Sequence, residues 1–349
     1  MILPGSYLYS LIVLAIGMIL LGSWANTFKS LRGKWRYELY CLDLAFGAML
    51  IALILAFTFG SFGFDGFLFL DDVKLAGKRQ DAFGFLSGCL FNMGTMLVMG
   101  GISVTGMSVA IPIGMSTGLI VTSIIDLIVS RQSNLLLVLC GSLALAASSV
   151  MFSSAWYHFA KARLLAQVRL GKTKSTRLDI SMGGVLLSAG GGLFLGFSRP
   201  VLDLARVPDI GLGPYSLGVV FAVGIVFSTF VMNLFLMNLP VSGEPIDIVN
   251  YFQAQVVSHL PGIFGGMLLG GGLIASFVVA RADGAGAVLQ RISQPVLQSA
   301  MVLAMLWGLV AWKELSSPES KVKGYVAAAA LLLIAGIGLT TFALPVTAH

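Results

Sequence analysis

YLYSLIVLAIGMILLGSWANTF, residues 7–28, runs without a single charged side chain and without the strict alternation of a barrel strand. A helix rises 1.5 Å per residue, so a stretch of this length crosses the roughly 30 Å hydrocarbon core of a bilayer. In lipid only a helix or a closed barrel satisfies its own backbone hydrogen bonds, and the lack of alternation selects the helix. No basic residue precedes the stretch, and it is too long for a signal-peptide core, so it reads as a retained first span.

Similar stretches follow at roughly 40–62, 83–102, 107–129, 135–159, 180–198, 214–239, 256–280, 286–311 and 323–344, which makes about ten crossings. The composition agrees: 57% hydrophobic residues, 10% charged residues and a mean hydropathy of +0.95 exclude a soluble globular domain. The expected fold class is an all-α membrane protein with ten transmembrane helices. The formal charge of +6 reflects basic residues placed in short loops, so nucleic acid is not an expected partner. Cys41, Cys89 and Cys140 have no metal-ligand or redox spacing and read as small apolar packing residues.

Lys and Arg fix the expected orientation. The first, fifth and ninth loops hold 13 of the 21 basic residues, among them Lys29, Arg36, Lys161, Arg177 and Lys313. Short basic loops stay in the cytoplasm, so both termini are expected outside a bacterial-type inner membrane. Trp35, Tyr37 and Tyr40, and Trp156 with Tyr157, suit the headgroup level.

The longest basic loop divides the chain into a first five-helix repeat (1–160), a connecting loop (161–178) and a second five-helix repeat (179–349). Five is odd, so the halves insert upside down relative to each other, as in many secondary transporters with a midplane binding site. Gly22 ends the first span in GSWANTF and Gly196 ends the sixth in GFSRPVL, 174 residues later. Pro112 in the fourth span and Pro295 in the ninth mark expected helix breaks, with a packing kink as the alternative for each. Gly192 with Gly196, and Gly266 with Gly270, have the four-residue spacing of close helix packing.

Several strings resemble the drug/metabolite transporter superfamily, and within it the plant ureide permeases and their bacterial relatives. They are GSWANTF (22–28), LDLAFGAML (42–50), AFTFGSFG (56–63), FNMGTMLVMGGISVTGMSVAIPIG (91–114), GFSRPVLDLA (196–205) and WGLVAWKE (307–314). The resemblance is collinear over nearly all the spans and implies two inverted five-helix repeats. It also implies proton-coupled uptake of small heterocycles such as allantoin, uracil or xanthine, with sugar porters and multidrug exporters as the alternatives. The plant proteins carry a long central segment with a Walker-A-like element. Here the loop is short and has Ala166 where a phosphate loop needs its first glycine.

Charge inside a span demands a reason, because it costs roughly 2.5–3.5 kcal/mol on insertion scales. Asp126 and Arg291 are the candidates for proton coupling or gating, while Arg199 and Asp203 have the spacing of a local salt bridge. A neutral heterocycle needs a few amides and hydroxyls beside an aromatic face. Trp24, Asn26, Asn92, Thr95, Ser116 and Thr117 supply candidates, and Gln290, Gln294 and Gln298 form a polar stripe on one helical face. Amides at this depth also join helices, and Trp24 also suits the interface. His259 and His158 read as interfacial side chains, and neither has metal-binding partners. No constellation of nucleophile, base and orienter occurs, so neither an enzyme nor a cofactor is expected; the expected partners are a small-molecule substrate, the lipid bilayer and protons.

Overall fold

The computed structural model describes residues 1–63, 68–130, 134–169, 182–207, 210–241, 243–286, 289, 299–316 and 320–343. Among them the chain is helical without a strand. The first seven helices are α1 (Tyr7–Ser23), α2 (Ala25–Ser30), α3 (Tyr37–Phe57), α4 (Phe69–Leu75), α5 (Lys78–Thr105), α6 (Met107–Ser130) and α7 (Leu135–Arg169). The rest are α8 (Gly183–Ala205), α9 (Pro214–Leu236), α10 (Val249–Gln253), α11 (Val256–Arg281), α12 (Ala300–Leu306, continued by a π-turn over Trp307–Ala311) and α13 (Ser320–Ala343). Nine of the described helices, taking α1 and α2 as one, are long and apolar enough to cross a membrane. The protein is therefore an all-α, multi-pass membrane protein.

Its outer face is apolar, and polar side chains are buried among the apolar residues of its core. Leu143 and Val150 on α7, Leu186 on α8, Leu234 on α9 and Leu331 on α13 are exposed, whereas Asp43, Ser87, Asn92, Ser188 and Thr229 are buried. Such an outer face is one for acyl chains. Helix ends are closed locally: the Ser6 hydroxyl accepts from the Tyr9 N–H at 3.4 Å, Asn134 Oδ1 accepts from the Leu136 and Leu137 N–H groups, and Pro214 opens α9. Buried hydroxyls donate one turn back, Thr95 to the Phe91 carbonyl at 2.8 Å and Thr340 to that of Gly336 at 2.9 Å. Each hydroxyl proton is thereby satisfied without water.

Helix α5 packs on α8 and α9, α3 on α11 and α9, α6 on α8 and α7, α7 on α13, and α1 on α11 and α12. Glycine brings the backbones together. A Cβ on Gly266 of α11 would lie 2.0 Å from the Leu44 carbonyl oxygen of α3, and one on Gly47 would lie 2.0 Å from that of Ile263. Gly192 faces the Gly114 carbonyl across α8 and α6 in the same way.

The loops gather at two ends. At the Met1 end, the Ile2 N–H donates to the Phe59 carbonyl, Gly77 to Ile210 and Asn134 to Ala343. At the Trp35 end lie the loop after α2, the turn at Gly106, the segment between α9 and α11, and Trp312–Ser316; Arg36 donates to the Glu244 carbonyl there.

Three details differ from the sequence expectation. Helix α7 continues through Lys161 and Arg163 to Arg169, well past 159, because the run KARLLAQVR has strong helix formers and no Gly or Pro. The connecting segment is thus helical over 161–169. Pro112 lies within a continuous α6, as its sixth residue. The short helices α4 and α10 occupy segments read as loops. Pro295 and most of the ninth stretch lie outside the described residues.

Candidate functional site

A cavity of about 170 Å³ lies between α1, α5 and α6 on one side and α8, α9, α11 and α12 on the other. Its wall is largely apolar and aromatic, with Phe91, Phe221 and Phe277, and its polar groups are those of Trp24, Thr95, Ser198, Arg199 and Ser276. A cavity of roughly 150 Å³ is enough for one benzene ring. The space therefore matches a single small ring system.

Trp24 reaches the cavity from the break between α1 and α2, and its carbonyl accepts from Thr27 Oγ1 at 2.8 Å. Thr95 reaches it from α5. The other candidates on described residues lie elsewhere. Asn26 Oδ1 accepts from Trp312 Nε1 at 2.6 Å, tying α2 to the turn after α12. Asn92 Nδ2 donates to Ser228 and Thr229 at 2.9 and 2.8 Å, tying α5 to α9. Thr117 donates to the Ile113 carbonyl and packs against Gly192, and the buried Ser116 hydroxyl has no hydrogen-bond partner among the described residues. Gln290, Arg291, Gln294 and Gln298 lie outside the described residues.

Asn92→Ala should lower stability by about 1 kcal/mol, the scale of an interhelical hydrogen bond in lipid, as read by thermal unfolding in detergent. Unchanged unfolding would show that the amide does not join α5 to α9.

Charges collect at both ends. At the Met1 end, Asp126 on α6 is within electrostatic reach of Arg199 and Asp203. Asp203 pairs with Arg206 at 3.8 Å, not with Arg199 as its spacing suggested, and the Arg206 guanidinium lies over the Phe277 ring at 4.8 Å. Burial brings Arg206 down to about 10, opposed by Asp203 and reinforced by Arg199 and Arg281, so it stays charged at neutral pH.

At the Trp35 end three carboxylates, of which Glu38 and Asp43 are buried and Glu314 is partly buried, are held by hydrogen bonds and ion pairs. Glu38 is gripped by the Arg36 fork at 2.6 and 3.1 Å, which holds the guanidinium above its usual value through the hydrogen bond and the charge. Glu314 pairs with Lys29 and accepts from the Met107 and Ser108 N–H groups at 3.2 and 2.8 Å, capping α6. Asp43 is fully buried, accepts from Trp35 Nε1 at 3.1 Å and Tyr251 Oη at 2.6 Å, and shares a hydrogen bond with His259 Nδ1 at 2.8 Å. Sequence reasoning passed over all three. Asp43 did leave a signal, an acidic residue inside an apolar stretch, but its partners lie 208 and 216 residues further along, and Trp35 8 residues before it.

A second, largely apolar fissure of about 660 Å³ opens beside α1, between it, α3 and α11. Neither the protein-family models nor the curated proteins contain a match to this chain.

Proposed function

We propose that the chain is a secondary carrier of small heterocyclic metabolites such as ureides or nucleobases, coupled to protons and working by alternating access. The observation that carries this reading is the ring-sized cavity bounded by helices from both halves of the chain. In a carrier of this kind the solute lies near the midplane between inverted halves.

The helix pairing supports two inverted repeats. Exchanging the halves turns α3 on α11 into α9 on α5, α5 on α8 into α11 on α1, and α6 on α8 into α12 on α1, while α3 on α9 and α7 on α13 map onto themselves. Ten crossings require the segment with α12 to traverse the membrane. In support, Gly284 lies against Gly5 at the Met1 end and Trp312 against Asn26 at the Trp35 end. The basic loops make the Trp35 end cytoplasmic and leave both termini outside the inner membrane. The resemblance to the drug/metabolite transporter superfamily, and to ureide permeases within it, is part of the same proposal.

In this reading Trp24 and Thr95 meet the solute, and the candidates Gln290, Gln294 and Gln298 for solute binding and Asp126 with Arg291 for proton coupling or gating remain part of the proposal. A thermal-shift panel tests it. Ligand at a hundredfold excess over its dissociation constant stabilises by about 2.7 kcal/mol, so allantoin, uracil or xanthine should raise the unfolding temperature by several degrees. Shifts with sugars alone would make the chain a sugar porter. Shifts with lipophilic cations alone would make it a multidrug exporter, the reading that the apolar wall favours next.

A further inference from the structure

His259, Tyr251 and Trp35 converge on Asp43 from three separate elements, the start of α11, α10 and the loop before α3. The indole N–H can only donate, and the Tyr251 phenol, which burial and then its bond to Asp43 hold above its usual value, is a donor at neutral pH. As a carboxylate Asp43 accepts at both oxygens, and in that state its bond to His259 carries the proton on Nδ1. The nitrogen that gains and loses a proton is Nε2. The His259 side chain is 16% exposed and Asp43 0%, so the imidazole is more open to the surroundings than the carboxylate it meets. Its ring meets Trp35 and Tyr251 edge to face at 5.1 and 4.5 Å.

The cluster is joined to the cavity. A Cβ on Gly262 would fall 2.3 Å from Asp43 Cβ, and one on Gly265, a turn further along α11, would fall 2.4 Å from Tyr40 Oη. Tyr40 Oη bonds Thr27 Oγ1 at 2.6 Å, which donates to the Trp24 carbonyl at the cavity wall. Helix α11 then continues to Leu269, Leu273 and Phe277, also on that wall. One helix thus seats on the carboxylate at one end and encloses the cavity at the other.

Resting on the carrier reading above, we propose that Asp43 and His259 form the site where the coupling proton binds, with Tyr251 and Trp35 as positioning residues. The proton is taken from water onto His259 Nε2, and the cluster changes from one negative charge to none; no covalent bond is made. The Asp43–His259 bond joins α3 to the start of α11, so binding the proton there is linked to the seating of α11 on α3. The charged or titratable neighbours are Tyr40 and Cys41 on α3, Glu38 already paired with Arg36, and Tyr251 on α10.

Tryptophan emission of the purified protein, followed from about pH 5 to 8, should show one transition that Trp35→Phe, His259→Gln and Asp43→Asn each remove. The partly exposed His259→Gln keeps an amide donor and tests the site if Asp43→Asn fails to fold. In proteoliposomes, solute-linked proton uptake with allantoin, uracil or xanthine should fall to background in His259→Gln while the thermal shift with that solute persists. A transition untouched by His259→Gln, or proton uptake equal to wild type, overturns the proposal. Solute transport without proton movement also overturns it and leaves the carrier standing. If no solute of the panel binds, the solute class fails instead, and the emission titration alone decides whether His259 binds the proton.

Discussion

Gly266→Val is expected to leave little folded protein in detergent extracts, and what folds should unfold at a temperature lower by on the order of 10 °C. The added Cβ would lie 2.0 Å from the Leu44 carbonyl oxygen and 2.8 Å from the Ala48 nitrogen, both backbone atoms that no rotamer change can move. Because Gly47 makes the reciprocal approach to Ile263, α11 has no direction in which to slide along α3. Overpacking costs about 1–3 kcal/mol where neighbours can yield, and the upper end or beyond applies where they cannot. Gly190→Ala is the control, since nothing lies within 4 Å of the atom it would add. Equal unfolding temperatures for the two variants would mean that α3 and α11 are not in backbone contact.

Glu314→Ala should cost about 3 kcal/mol, read as a loss of thermal stability in scanning fluorimetry. The substitution removes two charge-assisted bonds to the first N–H groups of α6, each worth roughly 1.5–3 kcal/mol before water replaces part of it, and it strands Lys29. The surrounding backbone is bent to aim this carboxylate: Lys313 and Leu315, on either side of it, have φ of 51° and 56°, a region that side chains with a Cβ disfavour. Gly106, at φ 91°, and Gly308 leave room where a Cβ would come within 2.7–2.8 Å of the carboxylate. Glu314→Gln, which keeps one acceptor and loses the charge, should fall between wild type and alanine. An alanine variant as stable as wild type would show that water caps α6 equally well.

How much of this was legible in the sequence depends on whether the deciding property is local. The edges of α6, α9 and α11 lie within a few residues of the stretches at 107–129, 214–239 and 256–280, because an apolar run long enough for the bilayer is a property of the run itself. The glycine pairs Gly192 with Gly196 and Gly266 with Gly270 were readable for the same reason, and they face α6 and α3. Partner choice was not readable. Asn92 and Asn26 have the chemistry of cavity-lining amides, yet one joins Ser228 across 136 residues and the other joins Trp312 across 286. Asp43 lies so near the start of its span that it could equally have reached the headgroups, and only the folded chain brings His259 and Tyr251 to it. Lys161–Arg169 was misjudged for a different reason: charge marks the end of a hydrophobic stretch, but it does not end a helix.

On the carrier reading proposed above, the fissure beside α1 bears on how the halves would exchange shapes. If they are inverted copies, α1 on α11, beside that fissure, corresponds to α8 on α5, which meet closely at Gly94 with Gly191 and at Gly101 with Ser188. Letting each half adopt the other's shape would close the gap at α1 and open its mirror image beside α8, towards the cytosol. In such an exchange the close glycine contacts of α5 with α8, and the Ser87 bonds to Ser198 beside them, would have to part.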